Sequence, residues 1–160
     1  MTIRPARPEE YATVGDLTVR SYVEGKHLTG TEDYVEVLRD AAGRAEKATL
    51  LVAVDEGSIV GTATMAAHGS GWAEAAEPGE AELRMLAVAP GQGGRGIGQA
   101  LLEAVIAEAR AQGVRRMVLF SQESMTVAQA MYRKRGFHRR PEHDWYPLPH
   151  VRLLSFALNL

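Results

Sequence analysis

The chain has 160 residues, of which 46% are hydrophobic and 24% charged, the composition of one ordinary globular domain, spanning 1–160, with enough apolar surface to bury a core. Eighteen Lys and Arg against twenty Asp and Glu give a formal charge of −2, so no basic field draws the chain to nucleic acid or to an anionic membrane. There is no cysteine, which excludes disulfides, thiolate metal sites and a cysteine nucleophile, and no segment carries the roughly eighteen apolar residues of a membrane span; a cytoplasmic protein is expected.

A short strand over Thr2–Pro5 gives way at Pro8, a favoured first helical position, to a helix with Tyr11, Val14, Leu17 and Val19 at helical spacing. Thr31 can cap a second helix, with Tyr34, Val37, Leu38, Ala41 and Ala45 on one face and a charged, solvated face opposite. Thr49–Val54 and Ser58–Met65 are rich in apolar and β-branched residues and flank Asp55-Glu56-Gly57, a hairpin signal. After a loop from Gly69 to Gly79, Glu80–Val88 reads as a strand, broken by Pro90 and the glycines that follow it. Helical spacing resumes over Ile97–Ala111, with Gly113 placed to end the helix. Val114–Phe120 is the next strand, Thr126–Arg135 a helix closed by Gly136, and Val151–Leu158 a last strand beyond the proline-rich Pro141–Pro149. The order is βααβββαβαβ.

Strand, glycine-rich turn, then helix is an anion-binding arrangement. The first-turn amides of a helix lack intrahelical partners, the helix dipole adds partial positive charge, and glycines let the backbone close on phosphate oxygens. A Walker loop needs Gly-Lys-Ser/Thr at the helix start, whereas this chain has Gly96-Ile97-Gly98-Gln99. A dinucleotide fold needs Gly-x-Gly-x-x-Gly early in a βαβ unit, and here an antiparallel hairpin precedes the turn.

Val88-Ala89-Pro90, followed by Gly93-x-x-Gly96-x-Gly98 and Ala100-Leu101-Leu102, resembles the acyl-CoA-binding motif of the GNAT superfamily of acetyltransferases. The family pattern Arg/Gln-x-x-Gly-x-Gly/Ala places its first position on Gly93, with Gln92 one place earlier. A second stretch, Ala128-Gln129-Ala130-Met131-Tyr132-Arg133-Lys134-Arg135-Gly136-Phe137, is similar to the family's Ala-x-x-x-Tyr-x-x-x-Gly-Phe helix, and Met125 stands where an asparagine is common. The resemblance covers Glu80 to Phe137. It implies a mixed α/β (α+β) fold with a mostly antiparallel central sheet and helices on both faces.

The resemblance further implies acetyl-CoA as co-substrate, held at Leu86, Ala87, Val88, Gly93, Gly94, Arg95, Gly96, Ile97, Gly98 and Gln99, by backbone amides and the Arg95 cation. The activity it implies is acetyl transfer to a primary amine of a small molecule or peptide through a ternary complex. Rival readings are a catalytically idle acyl-CoA-binding module, a transferase of longer acyl groups, and an enzyme that acetylates a hydroxyl. Tyr132 matches the proton donor to the departing sulfur, or else packs over the core. A bulge in the Glu82–Val88 strand, as in the family, would leave amides at Leu86 and Val88 free for the thioester carbonyl. Strand alternation puts Glu82 on one face with Arg84, Leu86 and Val88, and Glu82 stands where histone-type members keep a catalytic glutamate, so it is the candidate general base. The alternative is an ion-paired Glu beside Arg84.

His138, His143, Asp144 and His150 show no metal-ligand spacing, so no metal is expected. Asp144-Trp145-Tyr146 either walls the acceptor side or packs on the sheet end, and the acidic loop with Trp72, Glu74, Glu77 and Glu80 either attracts an amine or is solvated. Family members often dimerise through C-terminal strands, and the apolar Val151–Leu158 would offer an edge if unpaired; a homodimer is expected.

Overall fold

The computed structural model describes residues 1–28, 30 and 33–160. Strand β1 (Thr2–Pro5) leads through a 3-10 turn into helix α1 (Tyr11–Glu24), followed by α2 (Tyr34–Arg39) and α3 (Ala41–Lys47). Next come β2 (Thr49–Asp55), β3 (Ser58–Ala67), β4 (Glu80–Val88), α4 (Ile97–Ala111), β5 (Arg116–Gln122) and α5 (Thr126–Arg135). The chain ends in β6 (His138–Arg139), β7 (Trp145–Leu148) and β8 (Val151–Asn159). The sheet order is β1-β2-β3-β4-β5-β8-β6, with β7 also on β8. All pairings are antiparallel except β4 with β5.

Helices cover both faces. On one, Ile97, Leu101, Leu102, Val105 and Ile106 of α4, with Tyr132 of α5, pack against Ala63, Leu83, Met117, Leu119 and Phe156. On the other, α1, α2 and α3 bury Val14, Val19, Val35, Leu38 and Ala41 against Leu50, Val52 and Met85.

The second expected helix is two. Asp40 leaves helical geometry at φ −80°, ψ 65°, and its carboxylate accepts the Gly43 amide at 3.0 Å, ending α2 and capping α3. The break turns the pattern: Val35 is buried and Val37 exposed, and the charged Arg44 is 0% exposed. The Thr31 cap lies outside the described residues.

The fifth strand starts at Arg116 instead of Val114 because the preceding residues close α4. Gly113, at φ +76°, donates to Arg110 O at 3.1 Å, and Val114 donates back to Ala109 O at 3.0 Å, a Schellman closure. Two short strands absent from the sequence reading follow α5, β6 just before the proline-rich segment and β7 inside it. Arg139 binds Asp144 through both guanidinium nitrogens at 2.7 and 2.8 Å, and Asp144 also accepts the Ser155 amide at 2.7 Å, so β6 and β7 are fastened to β8. They run along one edge of β8 while β5 takes the other. The apolar C-terminal run therefore has no free edge of the kind that suggested a dimer.

Candidate active site

Two features of β4 shape the site. First, pairing with β3 shifts between Thr62↔Ala87 and Thr64↔Arg84, so Met85 and Leu86 both stand opposite Ala63, and Met85 takes φ +53°. The extra residue reverses alternation. Ala81 and Leu83 face α4, as do Leu86 and Val88 beyond the bulge, whereas Met85 joins Val19, Val35 and Leu38 on the opposite face. Glu82 and Arg84 thus share a face with each other but not with Leu86 and Val88, contrary to simple alternation.

Second, β4 and β5 pair only from Glu80↔Arg116 to Leu83↔Leu119. Beyond that β4 continues to Val88 on β3, and β5 continues to Gln122 on β8. The strands part and leave a gap through the sheet. Successive strand amides point to opposite edges, and Ala89 donates to Val60 O of β3 at 2.8 Å, so the N–H groups of Val88 and Leu86 point into the gap.

The glycine turn sits at the end of β4. Gly91, Gly94 and Gly96 have φ of +82°, +77° and +77°, and a Cβ added at Gly91, Gly93, Gly94 or Gly96 would meet open space. Left-handed backbone at Gly94 and Gly96 turns successive amides outward. The amides from Gly93 through Gln99 donate to no main-chain oxygen among the described residues, and Ala100 makes the first bond of α4, to Gly96 O at 3.0 Å. This concave run of unpaired donors at a helix N-terminus fits a pyrophosphate. Gly98 lies where strand and helices converge: a Cβ there would touch Val88, Leu86 and Met131 at 3.5–3.7 Å. Arg95 does not point freely at that cradle, for its guanidinium is bonded to Asp55 and Gln92.

Tyr132 is positioned by the end of α5. Phe137 donates to Tyr132 O at 3.0 Å and Gly136, at φ +109°, to Arg133 O at 3.0 Å. This closure folds the Phe137 ring back to 5.7 Å from Tyr132, which is why the Tyr-x-x-x-Gly-Phe spacing makes a rigid mount. Phe156 flanks Tyr132 at 6.4 Å. Burial pushes the Tyr132 hydroxyl well above the ordinary phenol range, so it holds its proton.

Across the gap, burial likewise raises Tyr22 of α1, with Tyr34 and Tyr132 close enough to add to the effect and Arg84 and Arg44 opposing it. Tyr132 and Tyr22 lie on opposite faces of the sheet. Sequence places Tyr34 on a helix face and gives no local signal for Tyr22; the two come together because α1 and α2 pack on each other. Phe120 and Trp145 pack edge to face at 6.2 Å on the sheet end, while Asp144 serves the β6–β7 clamp. Glu82, 2% exposed, is held under the β3–β4 loop, and burial raises its carboxyl despite bonds from Ala75 and Glu74 and the nearby Arg84. Among the described residues no three His, Asp or Glu side chains converge as a metal site.

A gap through a splayed sheet, with an anion cradle at its end and a buried phenol beside it, defines an acyl-CoA-dependent transferase architecture. The model of the acetyltransferase (GNAT) family matches residues 12–137, and the chain belongs to that family. Curated relatives include mycothiol acetyltransferases from Beutenbergia cavernae, 34% identical over 78 residues covering 49% of this chain and 26% of that protein, and from Cellulomonas flavigena, 32% identical over 106 residues covering 65% and 30%. The chain thus spans under a third of the length of these relatives. Among solved structures, a GNAT acetyltransferase from Staphylococcus aureus Mu50 superposes with a TM-score of 0.80 at 17% identity, covering 99% of this chain and 98% of that one. A ribosomal-protein-alanine N-acetyltransferase from Brucella melitensis reaches 0.75 at 23% identity, covering all of both chains. A GNAT acetyltransferase from Brucella melitensis, in complex with acetyl-CoA, reaches 0.65 at 26% identity, covering 99% and 90%.

Proposed function

We propose that this protein moves an acetyl group from acetyl-CoA to a primary amine of a small molecule or peptide, by direct attack with both substrates bound. The observation that carries this reading is the run of unpaired amides from Gly93 to Gln99, opening beside a gap that reaches the opposite face of the sheet. Acetyl-CoA supplies the activated acyl group as a thioester. The turn amides hold its pyrophosphate, and the Val88 and Leu86 N–H groups, aimed into the gap, stabilise the negative charge that gathers on the acyl oxygen. The amine enters from the α1–α2 side, between Tyr22, Tyr34 and Phe120. Tyr132 donates its proton to the sulfur as the carbon–sulfur bond breaks, and the amine's surplus proton leaves to solvent.

No helix of the described residues is long and apolar enough to cross a membrane. Relatives named for mycothiol and for a ribosomal protein's alanine put both small molecules and peptides on the test panel. The experiment measures CoA release from acetyl-CoA across amino acids, polyamines, amino sugars and peptides with free N-termini. Amine-dependent release with N-acetylated product supports the reading. Tight acetyl-CoA binding without release on any amine rejects it in favour of an idle binding module.

A further inference from the structure

The Glu82 carboxylate has both oxygens engaged. Oε1 accepts the amides of Glu74 and Ala75, each at 3.0 Å, and Oε2 lies 3.7 Å from Nε of Arg84. Arg84 is tied to the same loop, donating from Nη1 to Trp72 O at 2.8 Å and from Nη2 to the Tyr34 hydroxyl at 2.9 Å, with Glu74 at 3.3 Å. Trp72 in turn donates its indole N–H to Gly43 O at 3.1 Å, and its ring lies 5.9 Å from the Arg44 guanidinium. The polar ties of residues 72–75 thus run to side chains of β4 and to the start of α3.

A general base must come within hydrogen-bond reach of the group whose proton it takes, about 2.6–3.2 Å between heavy atoms or through one water. Glu82 is covered by the very loop whose amides it accepts, and those amides would lose their shared acceptor without it. We propose that Glu82 is a positioning residue rather than the base: with Arg84 it clamps the β3–β4 loop as the wall of the amine site. The wall carries Trp72 and Glu74 and stands beside Tyr34, so the clamp governs acceptor affinity. This inference rests on the acetyl-transfer reading for its kinetic consequence, but not for the clamp itself.

The test compares wild type, Glu82→Gln and Glu82→Ala, using acetyl-CoA and the panel amine that wild type acetylates fastest, with hydrogen exchange at residues 74 and 75 measured alongside. The Gln side-chain oxygen can still accept both loop amides. The clamp predicts that Glu82→Gln keeps kcat within ~3-fold with an unchanged pH profile, and that Glu82→Ala raises the acceptor KM ~10-fold or more, with kcat and acetyl-CoA KM little changed. Glu82→Ala also loses exchange protection at 74 and 75. A ~100-fold drop in kcat for Glu82→Gln with protection intact would overturn the proposal and restore the base. So would wild-type protection in Glu82→Ala. If Glu82→Ala fails to fold, Ala75→Pro removes one donor and leaves the carboxylate; a raised acceptor KM supports the clamp, and a wild-type KM overturns it. Should wild type acetylate no amine, acetyl transfer fails while the exchange comparison still judges the clamp.

Discussion

Gly61 of β3 lies close against the first turns of α4, and replacing it by Ala perturbs the cradle through Ile97. A Cβ at Gly61 would lie 2.9 Å from Ile97 Cγ2, 2.9 Å from Leu101 Cδ1 and 3.1 Å from Ala87 O. These are about 0.6–1 Å short of ordinary carbon contacts. Leu101 can rotate a methyl away, but Ile97 is β-branched and stiff in a helix, and Ala87 O belongs to the strand. Helix α4 must therefore lift at its first turn, where the cradle lies. Overpacking of this kind costs roughly 1–3 kcal/mol, and at about 2–4 °C per kcal/mol for a chain of this size the melting temperature should fall by roughly 2–12 °C. Displaced amides should weaken acetyl-CoA binding ~10-fold, about 1.4 kcal/mol. Thermal unfolding and calorimetry with CoA measure both effects. Gly98→Ala is the control, since its Cβ finds only contacts of 3.5–3.7 Å, and Ala suits a helix better by about 0.5–1 kcal/mol. A Gly61→Ala protein with wild-type melting and affinity would refute the claim that close approach at Gly61 sets the cradle.

Tyr132→Phe should lower kcat on the order of 100-fold while leaving acetyl-CoA affinity and melting temperature unchanged, as steady-state kinetics and unfolding will show. Because burial keeps the Tyr132 phenol protonated well above its ordinary range, its ionisation should not produce an alkaline fall in kcat below pH ~10. Asp144, 8% exposed on its side chain, is pulled from the usual 3.8 to about 2, chiefly by its Arg139 bond. A depressed carboxyl stabilises the fold above its unfolded pKa and loses that contribution as pH falls through the folded value, so urea unfolding should lose about 2 kcal/mol between pH ~4 and ~2. Asp144→Asn should be less stable at pH 7 and lack that acid-dependent increment. Asp40→Ala should cost about 1 kcal/mol by uncapping α3.

Where local chemistry decides, the sequence reading and the structure coincide. The bounds of β1, β4, α4 and α5 follow from period and from Pro90, Gly113 and Gly136, because breakers and caps act over a few residues. The glycine turn was legible for the same reason. The break at Asp40 was not, since an Asp inside an apolar period reads as an exposed position until its bond to Gly43 is seen. The resemblance implied a bulge in this strand, but its place at Met85 carries no glycine to mark it, so alternation assigned Leu86 and Val88 to the wrong face. Glu82 shows the limit most clearly: its place in the motif resemblance suggested a base, while its partners in the loop, seven and eight residues earlier, depend on how that loop folds back. The Arg95 cation, likewise, is engaged by Asp55 from a hairpin forty residues away in sequence.

The central claim is that backbone amides of the glycine turn hold the pyrophosphate, and titration of CoA into wild type, Gly96→Asp and Gln92→Ala tests it most directly. Gly96 caps α4 at φ +77°, so Asp there both strains the backbone and sets a carboxylate among the donors. Wild type and Gln92→Ala should bind with near-equal affinity, and Gly96→Asp should show no binding at protein concentrations on the order of 100 μM. Equal losses in the two variants, or undiminished binding by Gly96→Asp, would contradict the account.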